Sequence, residues 1–174
     1  MAEIQPLHQY LNEMANRYTA WFDVYREDQL GSIPLSFSAH FKRRDEKYLV
    51  TKTIKVWSLE NDQHIYVTHF NKQLTLKEIK KLKEELMETS KNQLPNHPEH
   101  MSTIFTAIVV TDQEVDQEVV KFVKKFRKLK FIKYGLHGWY ELYIGIVNIQ
   151  NRQVYIHSKG KEFIQPFKQS IQLG

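Results

Sequence analysis

The stretch HPEH at residues 97–100 places two imidazoles and a carboxylate within four residues. His97, Glu99 and His100 are of the types that bind zinc and other transition metals, and a metal held there would activate water for hydrolysis. Asp112, which follows an apolar run, offers a further carboxylate, but it also suits the start of a helix. The His-x-x-His spacing is not specific, so a polar loop is the simpler interpretation of His97 and His100.

Lysine and arginine concentrate in two segments, residues 42–55 and 121–133, and account for most of the net charge of +5. The second segment interleaves bases with aromatic residues, a pattern that suits phosphate contacts combined with base stacking. The side chains predicted to contact nucleic acid are Arg43, Arg44, Lys47, Lys121, Lys124, Lys125 and Lys128. An alternative stays open, because Phe122 and Phe126 lie on an apolar helical stripe and leave an ordinary solvated lysine face.

Several chemistries are excluded by residue type. The chain has no cysteine, which removes disulfides, thiolate catalysis, zinc fingers and iron–sulfur clusters. It also lacks a glycine-rich phosphate loop, a Gly-x-Ser-x-Gly elbow and a dinucleotide fingerprint. The element order of residues 4–111 fits a restriction-endonuclease-like core, but the third strand, HIYVTHF, has no Glu-x-Lys motif. We therefore predict no catalytic residues and no cofactor.

Composition indicates a folded chain that does not cross a membrane. Hydrophobic residues make up 41% and aromatic residues 13% of the 174 positions, which is too apolar for a disordered protein. No window is long and apolar enough for a membrane span, and the first residues do not resemble a signal peptide. We expect one cytoplasmic domain over 1–174, with possible halves 1–95 and 101–174, and no membrane partner.

The periodicity of apolar residues predicts helices alternating with strands. Helices are predicted over 7–25, 75–90, from 111 or 112 to about 126, and 160–172. Strands are predicted over 35–41, 48–59, 64–70, 102–111, 129–135, 139–149 and 153–158. The predicted fold is α+β, with an antiparallel or mixed sheet flanked by helices, in the order α-βββ-α-β-α-βββ-α.

Two stretches about 90 residues apart resemble each other, SLENDQHIYV at 58–67 and NIQNRQVYI at 148–156. One interpretation is an internal duplication of an α-βββ-α unit. The other is that two hairpins share turn chemistry, since alternation and polar turns restrict the choice of residue. A duplication predicts that residues 33–70 and 128–158 have the same strand order and direction.

Residues 98–112 and 133–163 resemble a family of uncharacterised conserved proteins from low-GC Gram-positive bacteria. The matching features are His100-Met101-Ser102, Val110-Thr111-Asp112, Gly138-Trp139, Val154-Tyr155 and Lys159-Gly160-Lys161. The resemblance implies a bacterial cytoplasmic origin and carries over no catalytic residue. The element order is also similar to that of small dimeric secretion chaperones, but those are usually acidic and this chain is basic.

Because no paired catalytic constellation is found, the first hypothesis is a non-enzymatic cytoplasmic binding or adaptor protein of unknown partner. The second is a nucleic-acid-associated protein that uses the clusters at 42–55 and 121–133, and it gains support if these clusters share one face. The third is a metal-dependent hydrolase around His97, Glu99, His100 and Asp112. The partner is left open between protein and nucleic acid, with a homodimer also possible.

Overall fold

A mixed seven-stranded sheet is the frame of the computed structural model, which describes residues 6–42, 61–94, 102–136 and 138–173. The first part of the chain forms α1 (Leu7–Tyr18), β1 (Asp23–Arg26), β2 (Gln29–Leu30), β3 (Ile33–Pro34), β4 (Phe37–Phe41), β5 (Asp62–Phe70) and α2 (Leu76–Asn92). The second part forms β6 (Ser102–Thr111), α3 (Gln117–Lys125), β7 (Arg127–Phe131), β8 (Trp139–Asn148), β9 (Gln153–Tyr155) and α4 (Gln165–Leu173), with 3₁₀ segments at Lys133–Gly135 and Ser158–Ile164.

The sheet order is β1-β4-β5-β6-β8-β7, and β9 also pairs with β8. Strands β5, β6 and β8 run parallel, whereas β1 with β4, β4 with β5, β7 with β8 and β9 with β8 are antiparallel. The short strands β2 and β3 form a separate hairpin. The predicted α+β class with a mixed sheet flanked by helices is confirmed.

Helices cover both faces of the sheet. One core lies between the sheet, α1 and α4, and the other lies between the sheet, α2 and α3. Strand β6 is buried along its whole length because its apolar run STIFTAIVVT contacts both cores. Ile104 and Ile108 point to the α1 and α4 side, whereas Phe105 and Val109 point to the α2 and α3 side. The predicted strand over 102–111 is thus confirmed, and it lies in the interior of the sheet.

The helices on the second face follow the predicted pattern with one shifted boundary. Helix α2 begins with a capping box, in which the Glu78 carboxylate accepts from the N–H of Thr75 at 2.9 Å and the Thr75 side chain accepts from the N–H of Glu78. Helix α3 begins at Gln117, several residues after the predicted start, because Thr111 ends β6 and Asp116 is the N-cap. Phe122 and Phe126 pack against the second core as predicted.

The order of elements before α2 differs from the prediction. Helix α1 ends at Tyr18, because residues 23–26 form β1 on the edge of β4. Five described strands precede α2 instead of three. The predicted strand at 48–59 lies outside the described residues. Strand β5 has β4 on one edge and β6 on the other, so β4 is its antiparallel partner.

The two similar stretches occupy different places in the sheet. Residues 148–156 form the predicted hairpin, in which Asn148 of β8 faces Gln153 of β9, and β9 is a short strand at the outer edge. The matching part of 58–67 begins β5, a nine-residue strand that is paired on both sides. The described residues therefore do not confirm an internal duplication, and the shared hairpin turn stays a prediction because residues 58–60 lie outside them.

Candidate anion-binding pocket

Four cationic side chains from separate parts of the chain converge on one pocket at the outer edge of the sheet. Lys124 comes from α3, Arg152 from the β8–β9 turn, Lys161 from the 3₁₀ segment and Lys168 from α4, and the pocket has a volume of about 290 Å³. The remaining lining residues are Gln153, Val154, Ile156, Ile164, Ile171 and Gln172. None of the described residues that line it is a carboxylate. We call this site the basic pocket.

The turn that carries Arg152 is built around the side chain of Asn148. Its amide oxygen accepts hydrogen bonds from the backbone N–H groups of Gln150 and Asn151, at 3.0 and 3.4 Å. Its amide nitrogen donates to the carbonyl of Gln113 at 2.9 Å, which ties the turn to the end of β6. Arg152 itself has a φ of 59°, a left-handed conformation that costs energy for a residue with a Cβ. The backbone around Arg152 is therefore held in one conformation.

The segment that carries Lys161 is held against β8 by two glycines. A Cβ on Gly160 would lie 2.7 Å from Cδ1 of Tyr143, and a Cβ on Gly145 would lie 2.5 Å from Cδ1 of Ile164. His157 caps the start of the segment, since its Nδ1 accepts from the N–H of Lys159 at 3.0 Å. Close backbone approach at these glycines brings the segment down onto the sheet.

Two helical layers meet at the basic pocket. Lys161, Ile164, Lys168 and Ile171 recur at spacings of three and four, so the cations alternate with aliphatic side chains along one stripe. From the opposite layer, Lys124 extends over β9, with its Nζ 6.0 Å from the ring centroid of Tyr155. The pocket thus has an apolar floor and a cationic rim.

The chemistry of this arrangement is the binding of an anion. Lysine and arginine donate charge-assisted hydrogen bonds, and several of them around one cavity give it a positive potential. The described lining residues are cationic, amide or aliphatic. Imidazole, hydroxyl and carboxylate groups, which supply most general bases and nucleophiles, are not among them.

A second pocket lacks this excess of one charge. It has a volume of about 240 Å³ and lies between β3, the end of β5 and the start of α2. Its lining is mostly apolar, and its cation, Lys81, is accompanied by the carboxylate of Glu78. This pocket therefore offers no comparable attraction for an anion.

Strand β7 and the turn after it present apolar side chains to solvent. Leu129, Phe131, Tyr134 and Leu136 are four of the five large hydrophobic side chains that are exposed among the described residues. Phe131 is 65% exposed and Leu136 77% exposed. The turn has positive φ at Gly135 and Gly138. We call these four side chains the edge surface.

A buried polar network lies on the other side of the sheet, where β4 and β5 bring His40 directly opposite His64. The two Nδ1 atoms are 2.6 Å apart, His40 Nε2 lies 3.1 Å from Ser38 Oγ, and Ser38 Oγ donates to Asp28 Oδ2 at 2.6 Å. Since the Ser38 proton is used on Asp28, His40 donates from Nε2 and accepts at Nδ1 from His64. We call these four residues the histidine cluster.

Burial keeps both imidazoles of the histidine cluster neutral. It lowers the pKa of His64 to about 3, and the neighbouring side chains of His40 and Lys42 add to this effect. Burial also lowers the pKa of His40, although Asp28 and Asp23 oppose the shift. Phe105 stacks on His64, with ring centroids 5.0 Å apart. Each nitrogen that faces a partner is satisfied, so the cluster supports the fold.

The side chains predicted to contact nucleic acid lie in different parts of the chain's structure or outside the described residues. Lys124 joins the basic pocket, Lys121 and Lys125 are exposed on α3, and Lys128 is half-buried on β7. Arg43, Arg44 and Lys47 lie outside the described residues, so the comparison of the two clusters stays a prediction. Lys42 follows β4, on the opposite side of the sheet from β7.

The predicted metal ligands His97 and His100, with Glu99, also lie outside the described residues. Asp112 is half-buried at the end of β6 and accepts a hydrogen bond from Gln113 Nε2 at 3.0 Å. Within the described ranges, no three His, Cys, Asp or Glu side chains come together as a metal site. Strands β4 and β5, the second and third of the main sheet in chain order, read FSAHF and DQHIYVTHF and lack the endonuclease carboxylate pattern.

Sequence reasoning missed Arg152, Lys161 and Lys168. The available signal is the stripe from Lys161 to Ile171, in which cations and aliphatic residues alternate at helical spacing. That stripe shows that the two lysines share a helix face, but it does not show that α3 brings Lys124 to the same place.

Of the helices in the described ranges, none has the length and apolar character needed to cross a bilayer. The profile of a family described as a domain of unknown function, DUF8052, matches residues 7–169. Comparison with curated proteins and with solved structures gives no match.

Proposed function

The chain therefore belongs to the DUF8052 family, and we propose that it is a non-enzymatic binding protein that holds a phosphate-bearing ligand in the basic pocket. The observation that carries this proposal is the convergence of Lys124, Arg152, Lys161 and Lys168 without a described carboxylate in the lining. Several cations around one cavity give it a positive potential. An anion is the ligand that this potential attracts.

The lining favours phosphate over a simple carboxylate ligand. Several cations around one cavity match an anion with more than one negative charge or with several acceptor oxygens, and arginine forms paired hydrogen bonds with phosphate. The floor formed by Val154, Ile156, Ile164 and Ile171 gives an apolar contact to the part of the ligand next to the phosphate. A phosphate ester with an organic body fits both parts of the pocket.

The proposed setting is the cytoplasm of a low-GC Gram-positive bacterium, which the sequence resemblance of residues 98–112 and 133–163 supports. A cytoplasm supplies phosphate esters and polyphosphates in quantity. The proposal is therefore compatible with the expected location.

Calorimetric titration with inorganic pyrophosphate tests the proposal. We expect binding to the wild-type chain, and a loss of about tenfold in affinity for each charge-assisted contact removed in Lys161→Gln and Lys168→Gln together. The control is Lys77→Gln with Lys81→Gln, which changes the net charge equally on exposed positions of α2. Equal weakening in both double variants would show nonspecific charge attraction and contradict the proposal.

The non-enzymatic part has its own test. The chain is incubated with a mixture of nucleoside triphosphates and Mg²⁺, and phosphate release is measured against a protein-free control. We expect no release above that control. Release that is lost in the Lys161→Gln, Lys168→Gln variant would show catalysis at the basic pocket instead of simple binding.

A further inference from the structure

The basic pocket and the edge surface lie on the same side of the molecule. Strand β7 pairs with β8 through residues 139–143, and β9 pairs with the same edge of β8 through residues 146–148. Phe131 faces Trp139, and Tyr155 faces Ile146. At about 3.3 Å for each residue, these two positions are roughly 23 Å apart along β8. An extended polymer along this edge would therefore reach both features.

Strand β7 separates charge from apolar surface. Lys128 and Lys130 face Leu142 and Tyr140, on the side of the sheet that carries α3, where Lys121 and Lys125 are exposed. Leu129 and Phe131 face Glu141 and Trp139 on the other side. A ligand that lies along β7 thus meets lysines on one side and the apolar side chains of Leu129 and Phe131 on the other.

The aromatic side chains of the edge surface are free to contact a ligand. Tyr134 is fully exposed and projects from a turn in which its own φ is 56°. By contrast, Phe122 and Phe126 are half-buried against the second core. Lys83 of α2 lies over them, with its Nζ 5.9 and 5.8 Å from their ring centroids. Exposed apolar clusters of this kind mark binding surfaces.

We propose that the partner is a single-stranded nucleic acid, which runs along β7 and β9 with phosphates in the basic pocket and on the lysines, and with bases on Phe131 and Tyr134. A single strand presents both phosphates and open base faces, and this edge offers both cations and exposed aromatic rings, whereas a duplex hides its base faces. Stacking of bases on aromatic rings combined with a cationic track is the usual means of sequence-tolerant single-strand binding. The inference rests on the proposed phosphate site and names its ligand.

The test compares two fluorescent probes by anisotropy, an oligothymidylate of about 12 nucleotides, within the site sizes of single-strand binding folds, and an abasic oligomer with the same number of phosphates. We expect the thymidylate to bind about tenfold or more tightly than the abasic oligomer, because each stacked base adds affinity. A duplex of the same length should bind no better than the abasic oligomer.

Variants separate the two parts of the surface. Phe131→Ala with Tyr134→Ala should reduce thymidylate binding to the abasic level and leave pyrophosphate binding unchanged. Lys161→Gln with Lys168→Gln should weaken thymidylate, abasic oligomer and pyrophosphate alike. The matched control is Tyr25→Ala, an exposed tyrosine on β1 at the opposite edge of the sheet, which should change none of them.

Three outcomes would overturn the inference. Equal affinity for thymidylate and abasic oligomer would show that bases do not contribute, and unchanged thymidylate binding in the Phe131→Ala, Tyr134→Ala variant would show that they stack elsewhere. Binding of a polyglutamate peptide without binding of either oligomer would indicate an acidic protein segment. In the first two cases pyrophosphate binding still stands, so failure of the inference is distinguishable from failure of the proposed function.

Discussion

The histidine cluster and the basic pocket are two polar regions on opposite sides of one sheet. The imidazoles of the first are neutral, whereas the lysine and arginine side chains of the second are charged. In the histidine cluster, burial keeps His40 and His64 neutral. Their hydrogen bonds form a chain from His64 through His40 and Ser38 to the carboxylate of Asp28. In the basic pocket, exposed cations gather without a described carboxylate in the lining. The first region satisfies its own hydrogen bonds, whereas the second has the charge that the proposed anion would match.

The difference suggests that the histidine cluster contributes to stability, whereas the basic pocket has the proposed binding role. A satisfied buried network stabilises the fold, because breaking one bond leaves a buried polar atom without a partner. A group of like charges around a cavity attracts a ligand of opposite charge, which is the role we propose for the basic pocket. Substitutions should therefore damage the fold on the histidine side and binding on the lysine side.

The largest effect is expected from His64→Leu. This change removes the hydrogen-bond partner of His40 Nδ1 and the ring stacked on Phe105, and we expect a loss of about 2–4 kcal/mol in the free energy of unfolding. Urea unfolding at neutral pH measures the loss. The control His8→Leu, at an exposed position of α1, should stay within about 0.5 kcal/mol of the wild type. Equal effects of the two changes would mean that the histidine cluster is not a stabilising network.

The frame of the basic pocket should be nearly as sensitive. Gly160→Ala places a Cβ 2.7 Å from Cδ1 of Tyr143, and relief of this overlap should cost about 1–3 kcal/mol. Thermal or urea unfolding measures the cost, and pyrophosphate titration of the folded variant should show weaker binding because Lys161 moves. Lys159→Ala, an exposed neighbour in the same segment, serves as the control. A variant as stable as the wild type would show that the close contact is not needed.

The histidine cluster should also make the fold sensitive to acid. In the unfolded chain His64 takes up a proton near pH 6.5, whereas its folded pKa is about 3. Between these values the unfolded state binds more protons, so stability falls as the pH falls, by up to about 1.4 kcal/mol for each pH unit. Urea midpoints between about pH 7.5 and 4.5 measure this slope. His64→Leu should have the shallower slope, and identical slopes would contradict the assignment to His64.

The smallest effect has the opposite sign. Lys168→Gln removes one cation from the basic pocket, and without ligand it should raise the free energy of unfolding by about 0.2–0.5 kcal/mol, as expected for relief of exposed like-charge repulsion. The gain should shrink at high salt, because exposed charges are screened. Lys80→Gln, on the exposed surface of α2, should give no such gain. A destabilised Lys168→Gln would mean that this lysine has a structural partner.

Elements with a strong local signal are predictable from the sequence. Helix α2 is recognised from Thr75, Glu78 and one apolar stripe, and β6 is recognised from a continuous apolar run, because each signal lies within the element itself. The end of α1 is not predictable from the sequence, because Trp21, Phe22 and Tyr25 continue the helical spacing although residues 23–26 pair with β4. At these residues, pairing with the edge of β4 overrides the local helical pattern.

The two polar regions cannot be predicted from local sequence patterns, for a related reason. His40 and His64 meet because β5 is the neighbour of β4, whereas local spacing predicts residues 48–59 as the partner of 64–70. Lys124 meets Lys168 because α3 and α4 cover opposite faces of the sheet and both reach its outer edge. Sheet order decides both encounters, and sheet order is set by packing of the whole chain.

The burial of β6 on both faces and both edges has a consequence for the order of folding. During synthesis the edge of β5 stays open until β6 has emerged, and the edge of β6 stays open until β8 has emerged, since parallel neighbours need a crossover between them. Such nonlocal pairing is slow and leaves apolar edges exposed for a time. Arg152, Lys161 and Lys168 follow β8 in the chain, so the basic pocket forms only after β8 has been made. A ligand that binds there recognises chains in which the sheet has formed, and by mass action it stabilises them in that state.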